Sequence, residues 1–171
     1  MVLNFTKTLS EALDHIDFCG EGYELPVYRT EEIRTHMISD EVIEKYGQAK
    51  WAVVDILNRE YGAILFNKFD LYHWLEKNKN DEVAYFLNEA GSNSLNYSQY
   101  LAPFGFHIWL GKKGFVIGIE QKGKGFNAVK VDEEKITEHQ GGAFAFFREC
   151  KNIVFFDDAE EARVVYLEVK F

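Results

Sequence analysis

Leu9, Ala12, Leu13 and Ile16 recur at helical spacing behind Thr8 and Ser10, either of which can cap, and they predict a first helix that Gly20 and Gly22 end. Residues 23–28 read as a short strand. Pro26 has no N–H to give to a ladder, which puts that strand at a sheet edge. Short helices are predicted over 31–37 and 40–46, the second stopped by Gly47. The β-branched and aromatic run 51–57 and the segment 63–66 read as two strands joined by a hairpin through 58–62. Leu71, Trp74 and Leu75 share one helical face. Val83, Ala84, Phe86 and Leu87 share another over 81–90, which Gly91 ends before a loop over 91–94.

Polar and apolar positions then alternate as strands do. Residues 104–110 and 115–121 flank Gly111-Lys112-Lys113-Gly114, the strongest hairpin signal in the chain. A turn closed by those glycines sets His107 opposite Gly118, Trp109 opposite Val116 and Gly105 opposite Glu120. Phe106, Ile108 and Leu110 then share the other side with Phe115, Ile117 and Ile119, which is the evident core side. Residues 126–131 read as a third strand, and Asp132 as the cap of a helix through 138. A buried helix is predicted over 143–147, strands over 153–156 and 164–169, and a turn of helix over 157–162. Hairpins, adjacent strands and scattered short helices predict an α+β fold, a mostly antiparallel sheet with several short helices packed on one face. No repeat or composition shift divides the chain, so 1–171 reads as a single domain.

Composition adds a large core to this picture, with 15 Phe and 9 Tyr among 171 residues. The N-terminal stretch has no basic flank and carries Lys7, Glu11, Asp14 and Asp17 among its apolar positions, so it is not read as a signal peptide. No stretch approaches the roughly 18 apolar residues of a membrane span. Two cysteines, Cys19 and Cys150, make no disulfide framework, and a cytoplasmic location is expected. Twenty-eight acidic against nineteen basic residues disfavour nucleic acid as a partner, because such binding rests on neutralised phosphates. Only between 101 and 131 does the sign reverse, where Lys112, Lys113, Lys122, Lys124 and Lys130 stand against Glu120 alone.

The hairpin register also carries the sharpest chemical expectation. Glu120 is the diagonal neighbour of His107 on one face, near enough to hold the imidazole by one nitrogen and free the other as a base. Cys19 is the candidate nucleophile, since a thiolate beside an imidazolium is the reactive form. The stretch FHIWLGKKGFVIGIEQ resembles the hairpin of papain-like amidases of the CHAP type. That resemblance implies His107 as base and Glu120 as orienter in an amidase or thioesterase. In that family the nucleophile opens a helix, whereas Cys19 here closes one.

His15 and Cys19, four residues apart, are two potential metal ligands, too few for a structural site, so no metal or other cofactor is expected. Trp109, Tyr97 and Tyr100 are amphipathic aromatics beyond what the Phe-rich core needs, and with Lys112 and Lys113 they are the candidate binding residues. The leading expectation is therefore a non-enzymatic intracellular protein-binding or regulatory module, possible also as a homodimer. The alternative is a cysteine hydrolase using a Cys19-His107-Glu120 triad. A binding module predicts an apolar patch near 97–103 or on the His107 face, with Cys19 far from His107. The hydrolase predicts the reverse.

Overall fold

A computed structural model of the chain describes residues 3–27, 39–65, 68–75, 81–97, 104–138 and 142–171. Its elements in order are β1 (Leu3–Asn4), α1 (Leu9–His15), β2 (Phe18–Pro26), α2 (Ser39–Leu65), a 3-10 turn (Leu71–Leu75), α3 (Glu82–Tyr97), β3 (Gly105–Gly111), β4 (Gly114–Glu120), α4 (Ala128–Thr137), α5 (Ala143–Glu149), β5 (Ile153–Phe156) and β6 (Val164–Lys170). The six strands form one sheet in the order β1-β5-β6-β4-β3-β2. Every neighbouring pair is antiparallel except β1 with β5. The fold is thus α+β with a mostly antiparallel sheet.

Strand alternation gives the sheet two unlike faces. On the inner face, Phe106, Ile108, Phe115, Ile117, Val154, Phe156 and Leu167 are buried against Val53, Leu57 and Tyr61 of α2, Val83, Phe86 and Leu87 of α3, and Phe144 and Phe147 of α5. The Tyr61 hydroxyl ties α2 to the hairpin. It lies 2.9 Å from the Gly111 carbonyl and 3.1 Å from that of Gly114, and accepts the Gly111 N–H at 3.0 Å.

The outer face is covered only in part. There α1 sets Ala12 and Ile16 on Val116, Phe155 and Tyr166. Thr8 starts α1 with a capping box, its hydroxyl receiving the Glu11 N–H while the Glu11 carboxylate receives the Thr8 N–H. The hairpin tip grips the other end, where Lys112 N–H and Lys113 N–H donate to the carbonyls of Asp17 and Ile16. Gly111 permits that approach, since a Cβ there would stand 2.2 Å from the Ile16 oxygen. A buried ion pair, Lys7 Nζ to Glu168 Oε2 at 2.9 Å, lies at this end of the face.

Several local expectations are corrected. Residues 40–46, 51–57 and 63–65 belong to the single helix α2, because Tyr46, Ala49, Val53, Leu57 and Tyr61 form one buried helical stripe. Gly47 and Gly62 lie within it. Helix α3 likewise runs through Gly91 and the expected loop at 91–94. Residues 71–75 form a 3-10 turn rather than an α-helix. Phe126 makes only an isolated bridge to Ala162, and α4 begins directly after Asn127, whose side chain receives the Lys130 N–H. Asp132 is therefore inside α4, where it is buried and paired with Arg148. Residues 157–162 form no helix; Asp157 and Asp158 side chains receive backbone N–H groups there instead. The helix expected over 31–37 lies outside the described residues.

Candidate functional site

The hairpin ladder pairs His107 with Gly118, Trp109 with Val116 and Gly105 with Glu120. Extending it across the sheet sets Glu24 beside His107, Tyr166 beside Gly118 and Phe155 beside Tyr166. These side chains share the outer face, and α1 lies over the part near Val116 and Phe155. An aromatic row runs from there to the uncovered part, buried at Phe155 and Tyr166 and half-buried at Trp109 and His107. The His107 ring stacks on Trp109 with centroids 5.7 Å apart, Trp109 tilts against Tyr166 at 5.9 Å, and Tyr166 stacks on Phe155 at 4.7 Å. Gly118 lets the row close, because a Cβ there would meet the Tyr166 ring at 3.1 Å and the Trp109 ring at 3.2 Å.

Carboxylates rim the row. Glu120 Oε2 lies 2.8 Å from His107 Nε2, and Glu24 Oε1 lies 3.9 Å from Nδ1. Both ring nitrogens therefore face acids. The Glu24 side chain is 84% exposed, against 21% for His107 and 29% for Glu120. Burial, with smaller contributions from the charges of Asp157 and Glu120, pushes the Tyr166 hydroxyl up to about 12. It remains a neutral donor across the physiological range. Aromatic faces next to carboxylates suit a cationic side chain, which the rings attract by their quadrupoles and the acids by charge.

Cys19 is not part of this arrangement. It sits in the irregular stretch of β2 between Phe18, opposite Gly111, and Glu21, opposite Leu110. His107 pairs with Glu24, three residues beyond Glu21, so strand rise separates the backbone at Cys19 from that at His107 by roughly 10 Å or more. The exposed thiol lies 3.7 Å from the Asp17 carbonyl. The nucleophile, base and orienter expected from the sequence are thus brought together only as base and orienter.

The other candidates disperse. Lys112 and Lys113 are exposed at the hairpin tip, whereas Lys122 follows the opposite end of β4 and lies over the Phe104 ring at 4.4 Å. Residues 101–131 therefore do not gather their lysines into one basic surface. Tyr97 is the last residue of α3; its side chain and Tyr100 lie outside the described residues. His15 Nδ1 lies 3.0 Å from Lys7 Nζ and 3.2 Å from Glu168 Oε1. Among the described residues no three His, Cys, Asp or Glu side chains are placed to hold a metal, and no helix is long and apolar enough to cross a membrane.

Glu24 and Tyr166 are the members of the face that sequence reasoning missed. Alternation in Val164–Lys170 does put Tyr166 and Glu168 on one side. Only the pairing of β6 with β4 says which side that is. Comparison with protein-family models, curated proteins and solved structures finds no match.

Proposed function

We propose that this chain is a non-enzymatic, intracellular protein-binding module whose partner sets a basic side chain on the outer face, between Glu24, His107, Trp109 and Glu120. The observation that carries the reading is the half-buried His107–Trp109 pair, stacked at 5.7 Å, with Glu24 and Glu120 on its rim. A half-buried aromatic such as Trp109 offers a surface for a protein contact, and the rim acids, exposed Glu24 and half-buried Glu120, give such a contact direction. Two unbridged cysteines support a reducing compartment.

The test is recovery of partners from the source cells on the immobilised full chain. A partner retained by the native protein and by a Glu133→Arg control on α4, yet lost from Trp109→Ala and Glu24→Arg, is the expected result. Glu24 is exposed, so its replacement tests the face without unfolding risk. Recovery that ignores both face variants would sink the assignment.

The alternative, hydrolysis of an amide or thioester through Cys19, His107 and Glu120, draws support from the 2.8 Å His107–Glu120 contact. It would require Cys19 to reach an imidazole whose second nitrogen already faces Glu24. Binding is the better supported of the two.

A further inference from the structure

The sheet ends in two unequal edges. At one end β1 has two residues; at the other β2 has nine. Among the described residues β2 pairs with β3 alone, and all its residues are exposed except the half-buried Tyr23 and Leu25. An unpaired edge of this length displays a row of backbone donors and acceptors that can template another strand. Its irregularities, the shift between Phe18 and Glu21 and the proline at position 26, lie toward its ends. Residues 21–25 are regular between them.

At the proline end of β2 is a cleft of about 490 Å³, between Leu25, Pro26 and Val27 on one side and Lys45, Gln48, Ala49 and Ala52 of α2 on the other. The small side chains at 49 and 52 leave this space on the helix face turned to the strand. Pairing with Leu110, Ile108 and Phe106 puts Glu21, Tyr23 and Leu25 on the inner side, where Arg59 of α2 lies over the Tyr23 ring, while Gly22 and Glu24 lie on the outer face with Trp109 and His107. A strand laid against β2 would alternate in the same way. One set of its side chains would lie beside Tyr23 and Leu25, the last of which borders the cleft, and the other set beside Glu24; Glu120 lies two strands further in, on β4.

We infer that β2 receives an extended segment of a partner in which apolar residues alternate with lysine or arginine. The apolar set packs beside Tyr23 and Leu25 and reaches the cleft at the Leu25 end, the basic set meets Glu24 on the outer face, and the backbone adds a strand to the sheet. This rests on the binding reading above and names the form of the partner. Charge selects it over a second copy of this chain. Antiparallel pairing of β2 with itself about Tyr23 would put both Glu24 side chains at diagonal positions on one face, between molecules of net charge −9.

The probe is a capped peptide of alternating valine and lysine, titrated into the full chain and followed by backbone amide shifts and hydrogen exchange. Expected are saturable binding, slowed exchange over 21–25 and shifts at Ala49 and Ala52. Glu24→Lys should weaken binding by roughly fivefold or more, and Ala52→Leu should weaken it by filling the cleft. Thermal melts of both variants establish that the fold is kept. Replacing the valines by prolines, which cannot donate to a ladder, should abolish binding. Equal binding of the proline peptide, equal binding of a valine–glutamate peptide, or no binding would each overturn strand addition. So would self-association of the free chain through β2. Shifts centred on Trp109 without protection of β2 would overturn it too, yet leave the outer-face reading standing. Partner recovery indifferent to Trp109 and Glu24 would overturn that reading by itself.

Discussion

Gly118 acts through the side chain it lacks. The space above it is taken by the Trp109 and Tyr166 rings, and His107, opposite in the ladder, is held by Glu120 from the next position on that face. This pair was legible because a hairpin is local: two glycines and an alternating pattern set the register without knowledge of the rest of the sheet. Glu24, Tyr166 and Glu168 depend on which strands lie beside the hairpin, which local pattern does not carry. The thiols give a direct check of the geometry. Cys19 is exposed, and Cys150 is buried with its thiol pushed up to about 12, first by burial and then by the Glu82 carboxylate. Alkylation of the folded protein, read residue by residue by mass spectrometry, should modify Cys19 and spare Cys150. His107→Ala should leave the Cys19 rate and its pH dependence unchanged. A Cys19 rate that depends on His107 would mean that the thiol reaches the imidazole, contrary to the strand register.

Helix α2 is where local signals and the final structure diverge most. Val53, Val54, Ile56 and Leu57 follow Trp51 closely enough to look like a buried strand, and short apolar runs do not separate strand from helix by periodicity. The deciding pattern is the stripe from Tyr46 to Tyr61, which spans more than four turns and packs on the inner face of the sheet. Gly47, which reads as a helix stop, and Gly62, which reads as a hairpin-loop glycine, pay their conformational penalty inside the helix without a compensating contact, since a Cβ at either would meet nothing within 4 Å. Neither has positive φ. Gly47→Ala and Gly62→Ala should therefore each stabilise the protein by about 0.5–1 kcal/mol, raising Tm by roughly 2–4 °C per kcal/mol in a chain of this size. Thermal or urea unfolding measures this directly. Destabilisation by either would show that these positions are crowded or that the helix is interrupted there. The hairpin, by contrast, was read correctly because its turn chemistry and its tertiary role agree.

At the scale of the molecule, two buried acids, one at the end of α5 and one in β6, set an alkaline limit. Cys150 follows α5 and is raised from about 9 to about 12; Tyr166 lies in the middle of β6 and is raised from about 10 to about 12. Burial is the leading cause for both, because it disfavours the thiolate and the phenolate. An unfolded chain would lose these protons first, near 9 for the thiol and near 10 for the phenol. Between those values and about 12 the unfolded state binds fewer protons than the folded one, so stability falls as pH rises. Below about 9 neither group contributes a slope. Urea midpoints measured from neutral pH upward should accordingly show a decline that begins near 9 and steepens beyond 10. Cys150→Ser should remove the first part of that decline and Tyr166→Phe the second, whatever each does to stability at neutral pH. Decline of unchanged slope in both variants would mean that alkaline unfolding arises elsewhere, from the lysines or from the general repulsion of an already acidic chain. Separate loss of the two parts would tie the limit to the inner core at Cys150 and to the outer aromatic row at Tyr166. Loss of both parts from a single urea transition would show that the two faces of the sheet unfold as one cooperative unit.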